Sequence, residues 1–220
     1  MNRLYKSTLF IAILMVYSQA VFSQLEKGTH SLGLDFSGGT FKDSWEVGGA
    51  NFGSLRITPS YSYFFRDGLA MITGATANRR TQEWSFIDGN PNERLIRDFR
   101  VFSGIRKHVQ VAEKFYLLGT LGAFYQHENE ELYLLMGSPL QEETVERKRD
   151  MGVFAEGGII YFPNPRWSIE LIFQQGDLAR MKNSSRSSQG EGEVTGYRLG
   201  IKGMMDQPTL GIRYYFLQKP

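Results

Sequence analysis

From Trp167 to Phe173 the chain reads WSIELIF, with Trp167, Ile169, Leu171 and Phe173 on one parity and Ser168 and Glu170 on the other. A period of two is the signature of a β-strand whose two faces meet different surroundings. The same pattern recurs. Leu55, Ile57, Pro59, Tyr61 and Tyr63 alternate with Arg56, Thr58, Ser60 and Ser62, and His30, Leu32, Leu34 and Phe36 with Ser31, Gly33, Asp35 and Ser37. Near the end of the chain, Leu210, Ile212, Tyr214 and Phe216 alternate with Gly211, Arg213 and Tyr215. Weaker candidates lie at 69–78, 97–108, 115–125 and 151–162. Arg100 and Arg106 share a parity against Phe99, Val101 and Ile105, and Glu156 opposes Val153, Ala155, Ile159 and Tyr161. In 115–125 both faces are apolar, so the parity there stays open. Eight strands of roughly 10 residues result, a length that crosses a bilayer when tilted.

The connections alternate. FRDG, HVQVAEK and PNPR are short, whereas 39–53, 79–94, 126–149 and 179–194 are long. Brief periplasmic turns and longer extracellular loops distinguish a transmembrane barrel. Aromatics gather beside the short turns: Tyr63, Phe64 and Phe65; Phe115 and Tyr116; Phe162 and Trp167; Tyr214, Tyr215 and Phe216. At one height they would form the girdle such barrels carry at the membrane surface. Tyr61, Tyr63, Tyr161, Trp167, Ile169, Leu171, Phe173, Tyr214 and Phe216 are accordingly expected to face lipid or to lie in the girdle. Pro59 cannot donate to a ladder, and a bulge is expected there. Segment 195–208 reads as an extension of the last hairpin.

Residues 1–23 carry Arg3 and Lys6, an apolar run from Leu9 to Tyr17, and small residues suited to cleavage after Ser23 or Ala20. This is the pattern of a secretory signal peptide, leaving residues 24–220 as one barrel domain. Of 25 basic residues Arg3 and Lys6 leave with it, so 23 face 23 acidic ones. Such a balance gives no reason to expect a nucleic-acid partner. There is no cysteine, hence neither disulfides nor the lipid anchor of a lipoprotein.

The signal sequence, the GGIIYF…PRWSIEL strand-turn-strand and the terminal TLGIRYYF together resemble the small outer-membrane β-barrel proteins of Gram-negative bacteria. The resemblance implies an all-β, eight-stranded antiparallel up-and-down transmembrane barrel in the bacterial outer membrane, surrounded by lipid and inserted by the barrel assembly machinery. It implies no common activity. Members usually end on an aromatic, whereas here Phe216 is followed by LQKP.

An eight-stranded barrel is filled by its own side chains. A lipid-facing arginine at the midplane costs about 2–4 kcal/mol, so Asp35, Arg56, Arg100, Arg106, Glu156, Glu170 and Arg213 are expected inside. There they form either a plug of salt bridges or a narrow ion path gated by an arginine–carboxylate switch. His30 and His108, near short turns, are expected at the interface. His127 opens HENEE with Glu128, Glu130 and Glu131. Its readings are a solvated acidic loop, a divalent-cation site, or a general base for a serine such as Ser138. LYLLMG, residues 132–137, is either an apolar partner patch or an extension of strands five and six. KNSSRSSQGEGE, residues 182–193, reads as polar loop.

The expected role is non-enzymatic and without cofactor: envelope integrity, adhesion or recognition through the extracellular loops, with an unspecified surface partner. The alternatives are an outer-membrane lipid-modifying enzyme, a narrow channel, and a soluble periplasmic lipocalin-like carrier of an apolar ligand.

Overall fold

A computed structural model describes residues 25–45, 48–85, 91–134, 143–187, 190–202 and 208–216. The proposed signal peptide, Ser138 and the LQKP tail lie outside the described residues. The described residues form nine strands: β1 (His30–Trp45), β2 (Gly48–Arg66), β3 (Leu69–Ser85), β4 (Pro91–Ala112), β5 (Phe115–Leu134), β6 (Glu143–Asn164), β7 (Trp167–Ser187), β8 (Gly190–Lys202) and β9 (Thr209–Phe216). Each of β1 to β7 pairs antiparallel with the next, and β9 pairs with both β7 and β1, closing a ring of eight. β8 occupies the same position as β9 but higher, on Gln175–Ser187 of β7. Segment 195–202 therefore does extend the last hairpin.

The strands are longer than expected, at 19 residues in β2, 20 in β5 and 22 in β6. The outward apolar belt on β5 runs from Phe115 to Tyr125, with Leu121 67% exposed. That is the span hydrocarbon requires, so the rest of β5 stands beyond it. Much of the four expected long loops is paired strand: Arg80 sits opposite Ile96, Glu130 opposite Glu146 and Asn183 opposite Val194. Thus 182–193 is largely hairpin rather than loop. Leu132–Leu134 extend β5, leaving only the tip, 135–142, outside the described residues.

Short turns close the other end. At Asp67–Gly68 the backbone turns left-handed, with φ 63° at Gly68, a conformation glycine adopts without a Cβ clash. At PNPR the Asn164 side-chain oxygen accepts from the backbone N–H groups of Arg166 and Trp167, at 2.9 and 3.1 Å, as an Asx turn does. Short turns are the periplasmic end of such barrels.

Pro59 introduces no bulge. Ile57 pairs with Ala77 and Ser60 with Gly74 in one unbroken register. Thr58 Oγ1 instead bonds Thr76 Oγ1 at 3.0 Å across the interrupted step, so side chains replace the missing backbone pair. The register shifts occur elsewhere, among them Phe64/Arg66 and Gly157/Gly158.

Candidate functional site

Alternation sends the charged parity inward. Glu170, fully buried, accepts from Arg213 Nε at 2.7 Å and from Arg106 Nη1 at 2.8 Å. Arg213 also donates to Ser60 and Ser62 hydroxyls, both at 3.1 Å. Arg106 donates to Thr120 at 2.9 Å and lies 3.7 Å from Glu156. One carboxylate thereby ties β2, β4, β5, β7 and β9 across the lumen. Gly33 makes room: a Cβ there would meet the Arg213 guanidinium at 2.7 Å.

Asp35, Arg56, Arg100 and Glu156 line a cavity directly beside this cluster. Its volume, about 20 Å3, holds about one water. Arg100 is held less by carboxylates than by rings, its guanidinium lying 3.9 Å from the Phe124 centroid and 5.0 Å from that of Phe154. All seven residues of the expected interior network are inward in parity. The close ion contacts join Glu170, Arg106, Arg213 and Glu156, whereas Asp35, Arg56 and Arg100 border the cavity without an ion pair among the described residues.

The aromatic girdle is split. Tyr61, Trp167, Ile169 and Phe216 are exposed on the outside, and Tyr63, Tyr161, Leu171 and Tyr214 partly so. Phe173 departs from this set. It falls at the β6–β7 register shift and is half-buried, and the shift reverses parity above it, so Asp177 and Ala179 point in and Leu178 out. Phe64, Tyr116, Phe162 and Tyr215 are not girdle at all. They are buried with Leu25, Ala70, Leu118 and Ile160 in an apolar plug at the periplasmic mouth. This settles the parity of 115–125: Tyr116, Leu118 and Phe124 point in, and Leu117, Leu121 and Tyr125 point out.

The histidines diverge. His108, expected at the interface, is instead buried against Phe64 with ring centroids 5.2 Å apart. His30 faces outward and bonds the Tyr61 hydroxyl. His127 is half-buried on the outward face of β5, opposite Phe99 and Arg149.

HENEE is strand rather than solvated loop. Its Glu128 and Glu130 point inward, away from His127, into a ladder of ion pairs above the membrane. Arg80 meets Glu128 at 2.7 Å, Arg94 meets Glu130 at 2.6 Å, and Lys148 reaches both. Arg198 joins Asp150 and Asp177 at 3.0 and 3.4 Å. Burial alone would raise the Glu130 carboxyl; hydrogen bonds from Arg94 and Lys148 outweigh it and hold the group below its ordinary range. No cluster of three or more metal-ligating side chains occurs among the described residues.

The ladder and the plug were missed because each joins residues remote in sequence. The available signal was the even parity of Glu128, Glu130, Lys148 and Asp150 on consecutive strands.

No family model matches the chain, and no curated sequence matches it. Among solved structures, the outer membrane protein OprG from Pseudomonas aeruginosa aligns with a TM-score of 0.54. It shares 11% identity and covers 90% of this chain and 100% of that one. The translocator domain of autotransporter NalP from Neisseria meningitidis gives 0.48 at 12% identity, covering 96% of this chain and 95% of that one. Ail, the attachment invasion locus protein of Yersinia pestis, gives 0.42 at 16%, covering 86% and 99%. The OprG match shows a shared fold, and the apolar belt around a charged lumen is that of a barrel that spans a membrane.

Proposed function

We propose that this protein is a sealed, non-enzymatic outer-membrane anchor whose work is done at the cell surface, where the strand extensions present their hairpin tips. The observation that carries this reading is the extension itself. On β5 about nine residues continue past Tyr125, roughly 30 Å of strand, and the ion ladder braces them from within. A scaffold so stiffened loses little conformational entropy when its tips engage a partner.

Three features support sealing and argue against chemistry. The Glu170 cluster spans the lumen, the apolar plug fills the periplasmic mouth, and the cavity between the cluster and the ladder takes about one water. His127 stands between Phe99 and Arg149, with its neighbouring glutamates committed to arginine and lysine on the opposite face. The charged interior disfavours a carrier of apolar ligands.

A trimmed variant provides the test. Residues 129–147 are replaced by Asn-Gly, joining Glu128 to Lys148, which already face each other in register. The trimmed barrel should still fold and migrate as a heat-modifiable band, while cells expressing it lose the attachment to protein-coated surfaces that the full chain confers. Attachment unaffected by trimming, or steady conductance of the full chain in a planar bilayer, would contradict the proposal.

A further inference from the structure

Cations on the inner and outer faces of the strand extensions are treated differently. Inside, Arg80, Arg94, Lys148 and Arg198 each touch a carboxylate. Outside, just past the apolar belt, stand Arg79 on β3, Arg97 on β4, Arg147 and Arg149 on β6, and Arg180 and Lys182 on β7, with Arg79, Arg97, Arg147, Arg149, Arg180 and Lys182 unburied. The ladder brings them together: Arg79 pairs with Arg97, Arg97 with Asn129, and Asn129 with Arg147. Arg149 pairs with Lys182, and Arg180 lies one step lower, opposite Met151. The patch crosses five strands, about 19 Å at the usual strand spacing. Glu131 neutralises Arg97 at 3.2 Å and Glu193 neutralises Lys182 at 2.8 Å. Arg79, Arg147, Arg149 and Arg180 have no carboxylate within 4 Å among the described residues.

Directly below lie Phe99, Tyr125, Met151 and Leu178, all exposed. A ligand matching both levels carries acyl chains below and anionic oxygens above. Guanidinium forks bind phosphate bidentately, which a point charge does not. We propose that this outward arginine patch is a binding site for a phosphate-bearing acylated lipid of the outer leaflet, its phosphates held by Arg79, Arg147, Arg149 and Arg180 and its chains lying on the apolar residues beneath.

The full chain is folded into phosphatidylcholine bilayers containing a minor fraction of diphosphoryl lipid A, or of the same lipid stripped of phosphate. Lipid retained after gentle detergent extraction is counted by native mass spectrometry. The wild-type protein should enrich the phosphorylated lipid about tenfold or more, taking roughly one lipid-phosphate interaction per arginine near the surface. Molar salt should abolish the enrichment. The triple variant Arg147→Gln, Arg149→Gln, Arg180→Gln should lose it, the matching lysine variant should keep part of it, and Lys107→Gln, outward near the opposite end, should keep all of it. Equal retention of phosphorylated and stripped lipid by the wild-type protein overturns the proposal whether or not the variants fold. So does displacement by soluble polyphosphate that shows no preference for acylated phosphate. A triple variant that folds and still enriches the lipid would also overturn it.

Discussion

Replacing Glu170 with glutamine keeps the volume of the side chain and removes one charge from the most enclosed ion cluster in the barrel. Arg106 and Arg213 are each only 2% exposed. Their fates then differ. Arg106 keeps Glu156 at 3.7 Å, whereas Glu170 is the only carboxylate within 4 Å of Arg213 among the described residues. Glu170→Gln therefore strands one buried guanidinium with two serine hydroxyls and an amide. Breaking a buried pair in this way costs about 3–5 kcal/mol. Glu156→Gln, which leaves Arg106 its shorter contact, should cost about 1 kcal/mol, the scale of one ordinary hydrogen bond. Removing both ends, in Glu170→Gln with Arg213→Met, should recover much of the loss, because the penalty comes from the unpaired charge. Reversible urea unfolding in lipid vesicles, followed by tryptophan fluorescence, measures all of them, and the double-mutant cycle isolates the coupling. A Glu170→Gln variant within about 0.5 kcal/mol of wild type, the ordinary effect of a surface change, would refute the assignment of Glu170 as the tie across the lumen.

The surface ladder responds to acid. Glu130 is held below its ordinary range in the folded protein, so the stability it contributes is complete above the unfolded carboxylate value, about 4.3, and is lost as pH falls through the lower folded value. Amide protection factors should therefore begin to drop as pH falls below about 4.3, in the tops of β4, β5 and β6 before they do so in the belt; a uniform drop would argue against the ladder. At the first periplasmic turn, Gly68→Ala places a Cβ on a backbone at φ 63° and 3.0 Å from the His108 carbonyl oxygen. The same unfolding assay should register a loss of about 1–2 kcal/mol, and no loss would mean the turn readily relaxes.

The barrel was legible because its two faces meet opposite media. Where an apolar outside confronts a charged inside, as from Trp167 to Leu171 or from Leu55 to Tyr63, parity is plain in the sequence. It vanishes wherever the media match. In 115–125 the inward Tyr116 and Leu118 belong to an apolar plug and Phe124 to the arginine-bearing aromatic layer, so both faces look greasy. From Gln126 to Glu131 both faces are polar, and HENEE reads as loop. What makes it strand is pairing such as Arg80 with Glu128, separated by 48 residues, which no local pattern reports. Aromatic clustering at short turns marked one end of the barrel, but it could not divide the rings between girdle and plug. Phe173 shows the remaining limit: a single register shift reverses every side chain beyond it.

The inside-out polarity is tested most directly by site-directed spin labelling, which the cysteine-free sequence permits one position at a time. Nitroxides are placed at Leu121, Val153 and Ile212 on the outer face, and at their neighbours Thr120, Phe154 and Arg213, with the folded protein in lipid bilayers. Oxygen concentrates in hydrocarbon and a charged nickel chelate in water. The outer labels should collide often with oxygen and seldom with the chelate, and the inner ones seldom with either. Outer labels relaxed chiefly by the chelate, with oxygen-accessible labels at the inner positions, would contradict a barrel that shows apolar side chains to lipid and ionic ones to its own axis.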